Sequence, residues 1–173
     1  MSKFIYYHIF SMQVLKYYIP LIKIFNKKNY KNILLWSKSR PKSNMDNQSP
    51  SMHLNYLNEI SKKYNFELKH IDEFQNKKAI LFIVEGVLKN NILTRQDRKY
   101  KIISLTYCWD FYYLYDNYIN YIDYCIFSLK KKYVTKNFQP EESVKQFNKF
   151  NNNMKKNLFF GTPYLNKNSK NNF

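Results

Sequence analysis

Three positions in this chain combine a chemically capable side chain with a place where an apolar run stops. Glu85 and Gly86 end the run AILFIVEG. A carboxylate at the mouth of a sheet, its pKa raised by burial, can serve as a general base, although an acid there can equally open a loop and pair with a lysine. Asp110 closes TYCWD, where a helical pattern begins, and it can touch a substrate or cap that helix. His8 lies late in FIYYHIF and reads either as a core histidine or as one lining a cleft. These are the candidate catalytic residues. Cys108 stands beside Asp110, but none of His8, His53 and His70 falls near it in sequence, so no Cys–His nucleophile pair is expected. Cys108 and Cys125 lack metal-ligand spacing, and no metal site is expected.

The elements that must hold these residues are legible as an alternation. Residues 4–10 (FIYYHIF) are β-branched and aromatic and read as a buried strand. Leu15, Tyr18, Ile19, Ile22 and Phe25 then recur at helical spacing, with Lys16, Lys23, Lys27 and Pro20 on the wet side. KNILLWS is a second strand. Ser49 with Pro50 behind it opens a helix striped by Leu54, Leu57, Ile60 and Tyr64. FELKHI alternates, as a strand with one less buried face does, whereas AILFIV has the unbroken apolar run of a central parallel strand. NNILTRQDRKYK reads as exposed. IISLTY is a strand, 111–122 a helix, YCIFSL a strand, 140–150 a short helix, and NLFF the last strand. The expected fold is α/β: an open, mostly parallel, Rossmann-like sheet with helices on both faces. Residues 1–166 form one domain, and 167–173 a polar tail expected to be disordered.

Ligands of such sheets bind beyond the carboxyl ends of the strands. The turn after the first strand is FSMQ, and with only two glycines the chain holds neither G-x-G-x-x-G nor G-x-x-x-x-G-K-[ST]. No cofactor is therefore expected. A phosphate could still meet a bare helix N-terminus at residues 11–13.

The formal charge of +17 suits a polyanion partner. Only three of the 29 basic residues are arginine, however, and the fork that grips phosphate and guanine bidentately is scarce. Lys, Asn, Tyr, Ile and Phe fill more than half the chain, and Ala79 is its only alanine. A/T-rich coding is a sufficient cause of that bias, so nucleic acid is a partner the charge allows and the residue types do not favour. No run reaches 18 apolar residues, and no signal peptide is legible, so no transmembrane segment is expected. Two cysteines suit a reducing, cytoplasmic setting.

In order, FIYYHIFSMQVLKYYIPLIKIF, KKAILFIVEG, KIISLTYCWD and YIDYCIFSLKKKYVTKNF…NLFFGTPYLN resemble the N-terminal domain of a GT-B type glycosyltransferase. The nearest group is that of the UDP-GlcNAc 2-epimerases and CDP-glycerol glycerophosphotransferases. Gly161 and Pro163 stand where that group turns toward its second domain. The resemblance implies an acceptor-side half, with the nucleotide held by a C-terminal domain that this sequence lacks. It is expected to be inactive alone, to need a separate nucleotide-binding domain or chain, and to meet a sugar-nucleotide or phosphorylated substrate only once assembled. Glu85, Asp110 or His8 would then activate an acceptor hydroxyl. Where the group carries histidine and glycine after its fifth strand, Tyr107, Cys108 and Trp109 stand here. Two other expectations compete: a basic α/β module that binds nucleic acid or anionic surfaces, and a vestigial core whose carboxyl edge is plugged by its own aromatic rings.

Overall fold

The computed structural model describes residues 3–37, 54–84, 88–106, 121–127 and 157–159. The seven runs read as strands form one sheet. They are β1 (Phe4–Ile9), β2 (Lys31–Trp36), β3 (Glu67–His70), β4 (Ala79–Val84), β5 (Tyr100–Thr106), β6 (Tyr124–Phe127) and β7 (Asn157–Phe159). Every neighbouring pair is parallel, and the order is β3-β2-β1-β4-β5-β6-β7. The chain thus winds outward from β1 in one direction, returns, and winds outward from β4 in the other.

Right-handed crossovers put the connections of the two windings on opposite faces. Helices α1 (Met12–Lys27) and α2 (Leu54–Tyr64) cover one face. Val14, Leu15, Tyr18 and Ile22 of α1 and Leu57 of α2 pack there on Ile5, Tyr7, Leu34 and Phe82. The opposite face, with Tyr6, Ile33, Leu81 and Ile102, is covered by the turn at Ile71–Glu73 and by the short helix α3 (Asn90–Leu93). Phe74 wedges between Tyr6 and Tyr100, edge-on to both at 4.9 and 4.8 Å. The α/β class and the two-sided cover are as the sequence predicts. FELKHI is less buried because β3 is the sheet's edge; AILFIV is central, between β1 and β5.

The segment NNILTRQDRKYK departs from its exposed reading. Ile92, Leu93 and Tyr100 are buried, and β5 begins at Tyr100. The Tyr100 hydroxyl donates to the Ile92 carbonyl. Two apolar residues among polar ones carry no period, yet one helical turn suffices to aim both at the sheet. The helices expected at 111–122 and 140–150 lie outside the described residues, apart from the buried Ile122 and its neighbour Tyr121. The Gly161–Pro163 turn and the 167–173 tail lie outside them as well.

The scarcity of glycine leaves a trace at the helix ends. Asn29 (φ 57°) and Asn65 (φ 53°) take the left-handed conformation that glycine usually supplies. After α1 the Tyr30 amide donates to the Phe25 carbonyl at 3.0 Å and the Asn29 amide to Asn26 at 3.0 Å, a Schellman closure. The Phe25 and Tyr30 rings meet at 5.2 Å across it. After α2 the Phe66 amide reaches the Ser61 carbonyl at 3.1 Å in the same way. Asparagine pays part of the left-handed penalty and a β-branched residue pays all of it. Asn65→Gly should therefore raise the thermal midpoint slightly, and Asn65→Val should cost about 1–2 kcal/mol. Equal melting temperatures for the two variants would contradict this reading.

Glu67 opens β3 with Lys31 at 2.8 Å and Lys69 at 3.0 Å. Hydrogen bonds from Lys31, then Lys69, hold its carboxyl below the ordinary glutamate range against a smaller opposing effect of burial. A depressed native pKa contributes stability above the unfolded pKa and loses it as pH falls through the native one. The stability difference between the parent and Glu67→Gln should thus be full at neutral pH and vanish in acid. Urea unfolding across a pH series measures it, and a difference that does not change with pH would exclude the assignment.

Candidate functional site at the parting of β1 and β4

The order reverses between β1 and β4, and there the two strands come apart. Their pairing ends at Tyr7 with Phe82. On its other side β1 stays paired to β2 as far as Ile9 with Trp36, and β4 stays paired to β5 as far as Val84 with Leu105. The last two residues of each strand, His8 and Ile9 against Ile83 and Val84, flank an opening at the carboxyl edge. Diverging crossovers at such a point leave a crevice between the connections, where open α/β sheets take ligands.

Tyr18 closes the floor of this opening from the α1 side. Fully buried, its hydroxyl donates to the His8 carbonyl at 3.0 Å and lies 3.4 Å from the Phe82 carbonyl. These carbonyls belong to the two parting strands, so one phenol spans the place where the backbone ladder stops.

Strand alternation puts His8 on the face opposite α1, alongside Tyr6. The His8 ring is fully buried, with Nε2 3.1 Å from the Ser37 hydroxyl just beyond β2. Ser104 is also fully buried; it pairs with Ile83 on one side and Cys125 on the other. Of the four buried polar or charged residues among the described ones, His8, Ser37 and Ser104 sit at this end of the same face, while Asn32 lies on the α1 face. The three buried polar residues of this face thus gather toward its carboxyl edge.

The rim is aromatic. Trp36 and His70 end β2 and β3 with their rings edge-on at 4.6 Å. The His70 Nδ1 lies 3.2 Å from the Asp72 carboxylate and accepts from the Asp72 amide at 3.4 Å. Lys89 also contacts Asp72 and, ahead of His70, holds that carboxyl below the ordinary aspartate range. The first turn of α1 is not bare: the Ser11 hydroxyl accepts from the Gln13 amide at 3.3 Å, and the Val14 amide donates to the Ser11 carbonyl at 3.1 Å. The side-chain cap supplies what a phosphate would offer the Gln13 amide.

Of the three sequence candidates, His8 flanks the crevice, buried against Ser37. Glu85 and Asp110 lie outside the described residues, as does Cys108; Glu85 directly follows the end of β4. Sequence reasoning missed Ser37, Ser104 and Tyr18 as parts of this site. A serine inside the apolar run IISLT was the available signal for Ser104, whereas Tyr18 read as one more core ring. Among the described residues no group of three or more His, Cys, Asp or Glu side chains could hold a metal ion, and no helix is long and apolar enough to cross a membrane.

Comparison with known proteins finds no matching family model, no matching curated protein and no matching solved structure.

Proposed function

We propose that this chain is the acceptor-side lobe of a two-lobed transferase, related to the N-terminal domains of GT-B glycosyl- and glycerophosphotransferases. The observation that carries the reading is the parting of β1 from β4 in an all-parallel sheet, with buried His8, Ser37 and Ser104 behind the opening. That arrangement supplies one wall of a cleft and a polar lining. It has no glycine turn after β1 for a diphosphate, and Ser11 already occupies the Gln13 amide at the head of α1.

A single wall neither excludes water nor aligns two substrates, and both are needed for group transfer. The second wall, with the grip on the nucleotide, therefore comes from another body, and His8, which flanks the opening, and Glu85, next after Val84 in the sequence, are the candidates to take the acceptor's proton. The reading predicts that the chain alone binds UDP, UDP-GlcNAc and CDP-glycerol no more tightly than about 1 mM. Isothermal titration measures this. A micromolar dissociation constant for any of the three would make the chain a self-sufficient nucleotide domain and end the proposal.

A further inference from the structure

The His70 ring makes two contacts that no single protonation state satisfies together. Nδ1 accepts from the Asp72 amide at 3.4 Å, which requires a bare lone pair. The same nitrogen lies 3.2 Å from Asp72 Oδ2, and that contact is attractive only when Nδ1 carries a proton. Histidine is the side chain that ordinarily changes charge between about pH 5 and 8, so one proton chooses between the two contacts.

Each choice has its own structural consequence. With Nδ1 bare, His70 caps the turn at Ile71–Glu73. Its ring takes the Asp72 amide, and Glu73 Oε1 accepts from the His70 amide at 2.9 Å. The turn seats the fully buried Ile71, with Phe74 behind it, against the α3 face of the sheet. With Nδ1 protonated, the ring's half of the cap is lost. Asp72 then gains a second cation beside Lys89, which contacts its other carboxylate oxygen. Lys89 stands at the head of α3. The Lys89–Asp72 pair therefore ties the segment after β3 to the segment after β4, strands that β2 and β1 separate in the sheet. A strap of three linked side chains, His70, Asp72 and Lys89, is complete only in the protonated state.

The neighbouring elements add no second titrating partner to the ring's two contacts. β2 offers His70 the uncharged Trp36 ring at 4.6 Å. Lys69, its neighbour on β3, points to the other face, where it pairs with Glu67. Glu59, Lys62 and Lys63 of α2, the helix packed on β3, are exposed. Lys89, ahead of His70, holds the Asp72 carboxyl below the ordinary aspartate range, so that carboxylate stays ionised while histidine titrates.

We propose that His70 is a proton switch on this strap: neutral, it caps the turn after β3, and protonated, it releases the Asp72 amide to grip the Asp72 carboxylate.

NMR of the full chain between about pH 5 and 8 tests this. At the alkaline end the His70 ring should carry its proton on Nε2, which long-range proton–nitrogen spectra read directly. As the pH falls, the Asp72 amide proton should move upfield along the same curve as the His70 ring, while the Leu81 amide inside the ladder stays in place. His70→Asn, whose side-chain oxygen can cap at every pH, should abolish that movement. A neutral ring protonated on Nδ1 would overturn the proposal, as would a ring that keeps one charge state across this range. So would an Asp72 amide that stays put while the ring titrates, or a movement that persists in His70→Asn and therefore belongs to another group. The ring spectra come from the parent chain, so they decide the matter even if the variant fails to fold. Both readouts lie in the turn, and the result does not depend on the transferase reading.

Discussion

Tyr18→Ala should destabilise the chain by about 3–5 kcal/mol, a large share of an ordinary domain's stability. The ring is fully buried, 5.2 Å from Tyr7, in the layer between α1 and the sheet. Its removal leaves a cavity at the point where β1 and β4 no longer support each other. Tyr18→Phe separates the two contributions. It keeps the packing, leaves the His8 carbonyl without its 3.0 Å donor, and should cost about 1–3 kcal/mol. Amide exchange at Ile9 and Ile83 should accelerate in the Phe variant more than at Tyr6 and Leu81, which lie inside the paired ladder. Uniform acceleration would mean that the hydroxyl does not act at the opening.

Asn32→Leu should cost about 2–4 kcal/mol despite its similar volume, because it orphans more than one buried group. Asn32 accepts from the Tyr7 hydroxyl at 2.7 Å and donates to Asn26 Oδ1 at 2.7 Å and to the Tyr30 carbonyl at 3.2 Å. Asn26 in turn donates to the Tyr64 carbonyl at the end of α2, at 2.7 Å. One amide thus links β1, β2 and both helices of that face. Burial pushes the Tyr7 phenol far above its ordinary pKa, so it remains a neutral donor at any working pH. Adding Tyr7→Phe to Asn32→Leu removes the orphaned hydroxyl, so the double variant should be more stable than the sum of the singles by about 1 kcal/mol or more. Additive losses in urea unfolding would contradict the linkage.

The sheet was legible because each strand is a short run of β-branched and aromatic residues between breakers, and α1 because its stripe repeats over 16 residues. α3 was not: four residues are too few to show a period, and only tertiary contact decides that Ile92 and Leu93 turn inward. The site was legible only in part. Strand ends can be counted along a sequence, and they pointed to His8. The partners of a strand end are chosen by strand order, which brings Ser37 across from β2 and aligns Ser104 with Ile83. Nothing local in the chain encodes that order. The notion of a bare phosphate turn at residues 11–13 failed for a local reason, since Ser11 is itself a good cap.

Amide chemical-shift mapping of the whole chain against UDP, glycerol 3-phosphate and N-acetylglucosamine tests the central claim most directly. The opening between β1 and β4 should receive an acceptor, so glycerol 3-phosphate or N-acetylglucosamine should shift amides at Ile9, Phe10, Ser37, Ile83 and Val84, while UDP leaves them in place. Shifts from UDP alone at those positions, or acceptor shifts gathered at the opposite edge around Lys3, Lys78 and Lys99, would place the working surface somewhere other than this parting of the strands.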